Sequence, residues 1–338
     1  MRPKKLYFLL FPILFFLFLQ IPSLAISNPE KTYFSSLRLN LLEDVIREAV
    51  NNEEIPGAVI LVGHKENIVF RRAFGWRQII PEPKPMEVDL LFDLASLTKP
   101  VATATSVMIL VEKGKLSLQD KVKDYVPGFT SLQENSKKVA KNARLWHLLT
   151  HTSGLPPYTE AAVVEKKYGK PCPLKNMVEH IAGLKKTSAP GKEFIYSCLG
   201  YITLAYIIEQ VSGKNIAEFS SNNIFKPLNM TKTSFTPDED KYPFCVPTQV
   251  IDGKLLQGVV HDPLAKLLGG ISGNAGLFSS ADDLALFAQM LLKGGELNGR
   301  RILSPLSIRR MTEVYPEVKF SGRGLGWDVD SPYSTAGG

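Results

Sequence analysis

The sequence predicts an α+β protein, and three observations carry that prediction. Residues 58–63 and 68–70 are short apolar runs rich in β-branched residues, joined by a polar turn, which is the pattern of a hairpin. Apolar residues at helical spacing then recur through the middle of the chain. A final short strand is expected to start at residues 324–327. With 338 residues, 44% hydrophobic and 22% charged, the chain is long enough for a large core or two subdomains.

The elements follow in order. Residues 1–25 read as a secretory signal: Arg2, Lys4 and Lys5 precede an apolar run over residues 6–19, and Ser23 and Ala25 put small residues at the cleavage-defining places. That run is short for a membrane span. Residues 35–52 predict an amphipathic helix with Leu37, Leu41, Val45, Ile46 and Ala49 on one stripe, broken by Pro56 and Gly57. After the hairpin, a Pro-rich loop at 81–85 leads to residues 101–112, apolar or small on nearly every side and therefore a buried central helix that Gly114 stops. Residues 115–127 read as a connecting loop, and the mildly basic stretch 131–144 as a surface helix or loop.

Residues 200–211 predict a helix with Leu204, Ile207, Ile208 and Val211 on one face, ended by Ser212 and Gly213. Residues 214–228 predict another helix, and 236–258 an irregular polar stretch. The Gly-rich run 269–279 is no phosphate loop, because no Gly-Lys-Ser/Thr follows. Residues 282–292 predict a helix capped near Ser280 and Asp282, and residues 305–314 a last short one. No internal repeat is visible.

Net charge is +7, of which the leader's three basic residues supply three. The rest is modest and forms no basic tract, so nucleic-acid binding is not indicated. Cys172, Cys198 and Cys245 show no C-x-x-C pairing, and free thiols are the favoured reading.

The chemistry centres on Ser96 and Lys99. Three apart at a helix start, they would share one face, one turn apart. A serine hydroxyl needs a neighbouring base, and burial lowers a lysine pKa enough to make it one. The dipole of a helix beginning at Ser96 would favour negative charge there. On these two residues alone, Ser96 also fits an N-cap and Lys99 a solvated first-turn residue. Tyr196 precedes a second helix start; a tyrosine near a lysine can relay protons, although an aromatic there also suits a core. His147 and His151 are four apart, but the metalloprotease pattern needs Glu where Leu148 stands, so helix-end histidines are the better account. No Gly-x-Ser-x-Gly pentapeptide occurs, which argues against a Ser-His-Asp hydrolase.

Together, Ser96-Leu97-Thr98-Lys99, residues 148–156, Pro190-Gly191 with Tyr196-Ser197, the Gly200-Tyr201 helix, residues 273–295 and residues 324–327 resemble the serine beta-lactamase-related family: class C beta-lactamases, D-alanyl-D-alanine carboxypeptidases and their esterase relatives. The resemblance runs in family order over nearly all of residues 40–328. It implies a beta-lactamase/transpeptidase-like fold, an antiparallel sheet flanked by helices with an inserted helical domain. On that division the leader is 1–25 and the domain 26–338, with the α/β part at 26–95 and 268–338 and the helical part at 96–267. It further implies acyl transfer in two steps, with Ser96 attacking a carbonyl, Lys99 and Tyr196 sharing acid–base duty, the Ser96 N–H as one oxyanion donor, and no metal or organic cofactor.

Two departures from the family pattern stand out. Cys198 occupies the place of the asparagine in Tyr-Ser/Ala-Asn, and a thiol is a weak partner for a lysine or a substrate amide. The third motif, Lys-Thr-Gly or His-Thr/Ser-Gly, is absent; it normally follows the stretch at 324–327. The expectation is therefore a truncated sequence lacking C-terminal strands and a closing helix, unstable and without turnover if the chain truly ends there. The expected function is a secreted serine hydrolase acting on esters, D-Ala-D-Ala-type peptides or β-lactams. The alternative is a catalytically impaired penicillin-recognition fold binding cell-wall peptide or a protein partner. Substrates would be small molecules or peptidoglycan-derived, in a bacterial periplasm or outside the cell. Membrane contact would come only through the leader, as an inner-membrane anchor if it is not cleaved.

Overall fold

The computed structural model describes residues 35–130, 142–331 and 334. The leader and residues 131–141 of the basic stretch lie outside the described residues. Helix α1 (Ser36–Asn51) is capped by Ser35, whose Oγ accepts the Arg38 N–H. It packs Leu39, Leu42, Ile46 and Val50 against Phe70 and Phe74 of the hairpin β1 (Gly57–His64) and β2 (Asn67–Gln78). This corrects the expected stripe: Leu37, Leu41 and Val45 are 70%, 55% and 61% exposed. The helix is apolar on two sides, and the hairpin covers one of them. β1 and β2 pair antiparallel from Gly57↔Gly75 to His64↔Asn67, and β3 (Lys84–Pro85) adds to β2.

Strand β4 (Phe92–Asp93) runs into a 3₁₀ turn (Ala95–Leu97), then a π-helical stretch (Lys99–Ala104), then α2 (Thr105–Glu112). Every residue from Thr98 to Leu110 is buried, as expected of a central helix. The loop expected at 115–127 contains the single turn α3 (Val122–Tyr125). Helices α4 (Leu145–Leu149), α5 (Ala161–Tyr168), α6 (Leu174–Gly183) and α7 (Cys198–Ser212) follow. Gly213, at φ +70°, ends α7 with the left-handed residue that its position requires. The helix expected over 214–228 is shorter, α8 (Ile216–Ser220) with a π-helical extension (Ser221–Phe225), because Asn215 caps it through the Glu218 N–H at 2.9 Å.

Next come β5 (Ser234–Phe235), the hairpin β6 (Gln249–Ile251) and β7 (Lys254–Leu256), and α9 (Pro263–Leu267). Strand β8 (Leu277–Ser279), α10 (Ala281–Leu292), the pair β9 (Glu296–Leu297) and β10 (Arg300–Arg301), and α11 (Pro305–Thr312) complete the order. Ser280 caps α10 by accepting the Asp283 N–H. The polar stretch 236–258, expected to be irregular, thus carries one small hairpin. Residues 324–327 are a loop rather than a strand. Gly326, at φ +93°, leaves the extended region, and its N–H goes to the Leu149 carbonyl at 3.2 Å instead of to a neighbouring strand.

The sheet β4–β8–β5 positions the site, pairing Asp93 with Phe278 and Ser234 with the same Phe278. One hydrophobic core, from Leu94 to Leu325, joins α2, α4, α6 and α7 to β8, α10 and α11. All three cysteines are free thiols. Among the described residues, no helix is long and apolar enough to cross a membrane.

Candidate active site

Ser96 does not open an α-helix. It sits exposed in the 3₁₀ turn, which the Leu97 N–H closes onto the Leu94 carbonyl at 2.9 Å. The kink before it is forced: Ala95 has φ +45°, a strained conformation for a residue with a Cβ, and the Asp93 carboxylate holds it by accepting the Ala95 N–H at 2.9 Å. The chain then turns inward, so that Lys99, one turn on, is only 2% exposed.

The expected proximity is present. Lys99 Nζ donates to Ser96 Oγ at 2.9 Å and to the Asn274 carbonyl at 2.9 Å. Among the described residues Lys99 forms no ion pair. A second buried lysine, Lys186, makes a useful contrast. Its Nζ donates to the Ala182 and Leu184 carbonyls, closing the end of α6, and burial pushes its pKa down to about 8. Lys186 serves a helix end, whereas Lys99 is aimed at a hydroxyl.

The Tyr196 ring centroid lies 5.0 Å from Lys99 Nζ, and the residue is 38% exposed. The structure thus brings Ser96, Lys99 and Tyr196 together. Cys198 is half-buried at the first position of α7, its N–H donating to the Pro157 carbonyl at 3.0 Å. Neither hydrogen bond of the Lys99 ammonium involves it.

Sequence reasoning missed the second face of the site. His151 lies beyond α4 with φ +59° and stacks on Tyr196 at 4.4 Å between ring centroids. Its Nδ1 accepts the Ser197 N–H at 3.0 Å, which fixes the start of α7. His147 instead stacks on Trp146 and accepts the Arg144 N–H, so the two histidines serve separate structural ends. Among the described residues, no cluster of His, Cys, Asp and Glu could hold a metal ion.

Burial, then the positive charges of Arg323 and Lys99, hold the His151 ring neutral well below the usual histidine range. Below about pH 6.5 the unfolded chain therefore binds a proton that the folded chain refuses, and stability falls as pH falls. His151→Asn keeps a side-chain acceptor and tolerates the positive φ, but does not titrate. Relative to that variant, the wild type is expected to lose up to about 1.4 kcal/mol per pH unit below about pH 6.5. Urea unfolding across that range checks it; parallel slopes for the two proteins would mean that the folded ring accepts a proton.

Three further residues take their roles only from the fold. Asn274, fully buried, supplies the carbonyl that receives Lys99, and its side chain is held by Ser272 and Asp262. Tyr158 donates to Asp262 Oδ2 at 3.3 Å; burial, then the Asp262 charge, push its phenol well above the usual range. The only signal for Asp262 was Asp followed by Pro263 at a helix start, which reads as a cap.

Small antiparallel sheets among helices around one core, with a buried lysine against an exposed serine ahead of the central helix, define a beta-lactamase/transpeptidase-like protein. The chain belongs to the Beta-lactamase family, whose model matches residues 42–338. It is 29% identical over 334 residues to an Escherichia coli K12 protein provisionally named a D-alanyl-D-alanine carboxypeptidase, covering 91% of this chain and 76% of that one. A Salmonella enteritidis protein of the same name is 27% identical, covering 92% and 77%. Among solved structures, an octameric penicillin-binding protein homologue from Pyrococcus abyssi superposes with a TM-score of 0.65 at 26% identity, over 85% of this chain and 64% of that one. The fold is also that of EstCE1, a hydrolase with promiscuous acyltransferase activity, with a TM-score of 0.68 at 23% identity over 85% of this chain and 81% of that one.

Proposed function

We propose that this protein is a secreted serine hydrolase that forms an acyl-enzyme at Ser96, on D-Ala-D-Ala-type peptides, esters or β-lactams. The observation that carries the reading is the 2.9 Å contact between buried Lys99 Nζ and exposed Ser96 Oγ. When the amine is neutral the same contact reverses, and Nζ accepts the hydroxyl proton as Oγ bonds to the substrate carbonyl carbon. The Ser96 N–H is one donor to the developing oxyanion. The proton then passes to the departing amine or alcohol as its bond to the carbonyl carbon breaks, with Tyr196 beside Lys99 as the relay. Water hydrolyses the ester so formed and regenerates the hydroxyl.

Cys198 favours esters over amides within this range, because a thiol offers a substrate amide little. The relatives provisionally named carboxypeptidases support the peptide class, and the basic-then-apolar leader supports export. The test exposes the wild type, Ser96→Ala and Cys198→Asn to a fluorescent penicillin and to a p-nitrophenyl ester, with intact-mass readout. A covalent adduct lost in Ser96→Ala is expected, with ester turnover in the wild type and a gain on amide substrates in Cys198→Asn. An adduct that persists in Ser96→Ala would remove Ser96 as the nucleophile.

A further inference from the structure

We propose that Asp262 is a positioning residue for acyl transfer: it fixes the Asn274 peptide so that its carbonyl holds Lys99 against Ser96. The inference rests on the acyl-enzyme reading above and adds a part to it.

Asp262, itself half-buried, is the hub of a hydrogen-bond network outside the Ser96–Lys99 pair. Its Oδ1 accepts the Ala265 N–H at 2.8 Å, capping α9, and the Asn274 Nδ2–H at 3.1 Å; its Oδ2 accepts the Tyr158 hydroxyl at 3.3 Å. The other end of the Asn274 amide, Oδ1, accepts the Ser272 hydroxyl at 2.7 Å. Both ends of this side chain are therefore held, and the carbonyl of the same residue accepts from Lys99 Nζ. The flanking backbone is pinned too, Gly273 by Thr103 at 2.7 Å and Leu277 by Thr98 at 3.2 Å. Between those pins, the orientation of the Asn274 peptide is set by its side chain.

The residue before Asp262 ties the same strap to the serine turn. The His261 N–H donates at 2.8 Å to Asp93, the carboxylate that also holds the strained Ala95. Residues 261 and 262 thus fasten the candidate nucleophile on one side and the candidate base on the other. Among the described residues Lys99 has two hydrogen bonds, and the one that does not involve Ser96 is to this carbonyl. If the carbonyl swings away, the amine loses the bond that points it at the hydroxyl, and misplacement by about 1 Å lowers a rate about 100-fold.

The test compares Asp262→Ser with Asp262→Asn in the whole protein, with ester turnover and Ser96 acylation as readouts. Serine keeps a cap for the Ala265 N–H but is too short to reach Asn274 Nδ2, whereas asparagine keeps an Oδ1 that can accept from both. The expected result for Asp262→Ser is a kcat lower by about 100-fold with KM within about threefold, since the amine is misaligned while substrate contacts remain. Asp262→Asn should stay within about tenfold of the wild-type kcat, because the bond to Asn274 is kept. Loss of the helix cap alone would not separate the two variants. If Asp262→Ser does not fold, Ser272→Ala frees the opposite end of the same amide and is expected to lower kcat with KM held.

A folded Asp262→Ser with wild-type kcat, or an Asp262→Asn as impaired as Asp262→Ser, overturns the inference while leaving the acyl-enzyme reading intact. A wild-type chain that forms no adduct overturns that reading, and this inference with it.

Discussion

Replacing Lys99 with methionine is expected to lower kcat/KM for ester hydrolysis by roughly 1,000-fold while the protein stays folded, a loss in the range of a missing general base. Methionine is unbranched and of similar volume, so the buried channel that lysine occupies stays filled. Two opposing effects act on stability. The Asn274 carbonyl loses its partner, which costs about 1–3 kcal/mol for a buried acceptor. Against that, a charge that forms no ion pair among the described residues no longer has to be desolvated. The melting temperature should therefore move little, and the activity a great deal. Burst-phase acylation beside thermal unfolding separates the two. Retention of activity within about tenfold would show that another group takes the Ser96 proton.

Gly273→Ala is expected to destabilise by about 3 kcal/mol or more and to abolish acylation as well, the large end of single-substitution effects. An added Cβ would lie 2.1 Å from the Tyr201 carbonyl oxygen, 2.9 Å from its carbon and 2.8 Å from the Ala205 Cβ. All belong to buried α7, and two are backbone, so nothing can rotate aside. The loop must retreat instead and take Asn274 with it. Gly183→Ala is the control. It lies at the exposed end of α6, its Cβ would meet nothing within 4 Å, and alanine there should be neutral or stabilise by up to about 1 kcal/mol. Equal effects from the two substitutions in a chemical denaturation series would show that the close approach of loop and helix is not rigid.

What was legible in the sequence depended on distance along the chain. Ser96 and Lys99 are three apart, so helical geometry alone anticipated their contact, even though the turn that carries Ser96 is 3₁₀. Buried helices showed as uninterrupted apolar runs. The exposed row Leu37, Leu41 and Val45 could not be read correctly, because composition does not say which face of a doubly apolar helix meets a neighbour. Asp262 reads locally as a cap, and it is one; its second bond, to Asn274, spans twelve residues. The strain at Ala95 had no sequence signal, since alanine gives no hint of a positive φ. His151 was seen as a helix end, and its stacking on Tyr196 depends on a tertiary contact.

The two bonds of Lys99 differ in one respect with consequences for how the protein matures. The bond to Ser96 closes a loop of three residues, and the bond to the Asn274 carbonyl closes one of 175. During synthesis the serine and lysine emerge together long before the loop that receives the amine. Pairings so distant in sequence form late and slowly. A nascent chain thus carries the whole motif without the finished site, and reactivity at Ser96 should arrive only when β8 has joined β4. Acylation of stalled chains of increasing length would then report the completion of folding, with its onset at the residue where the loop leaves the ribosome.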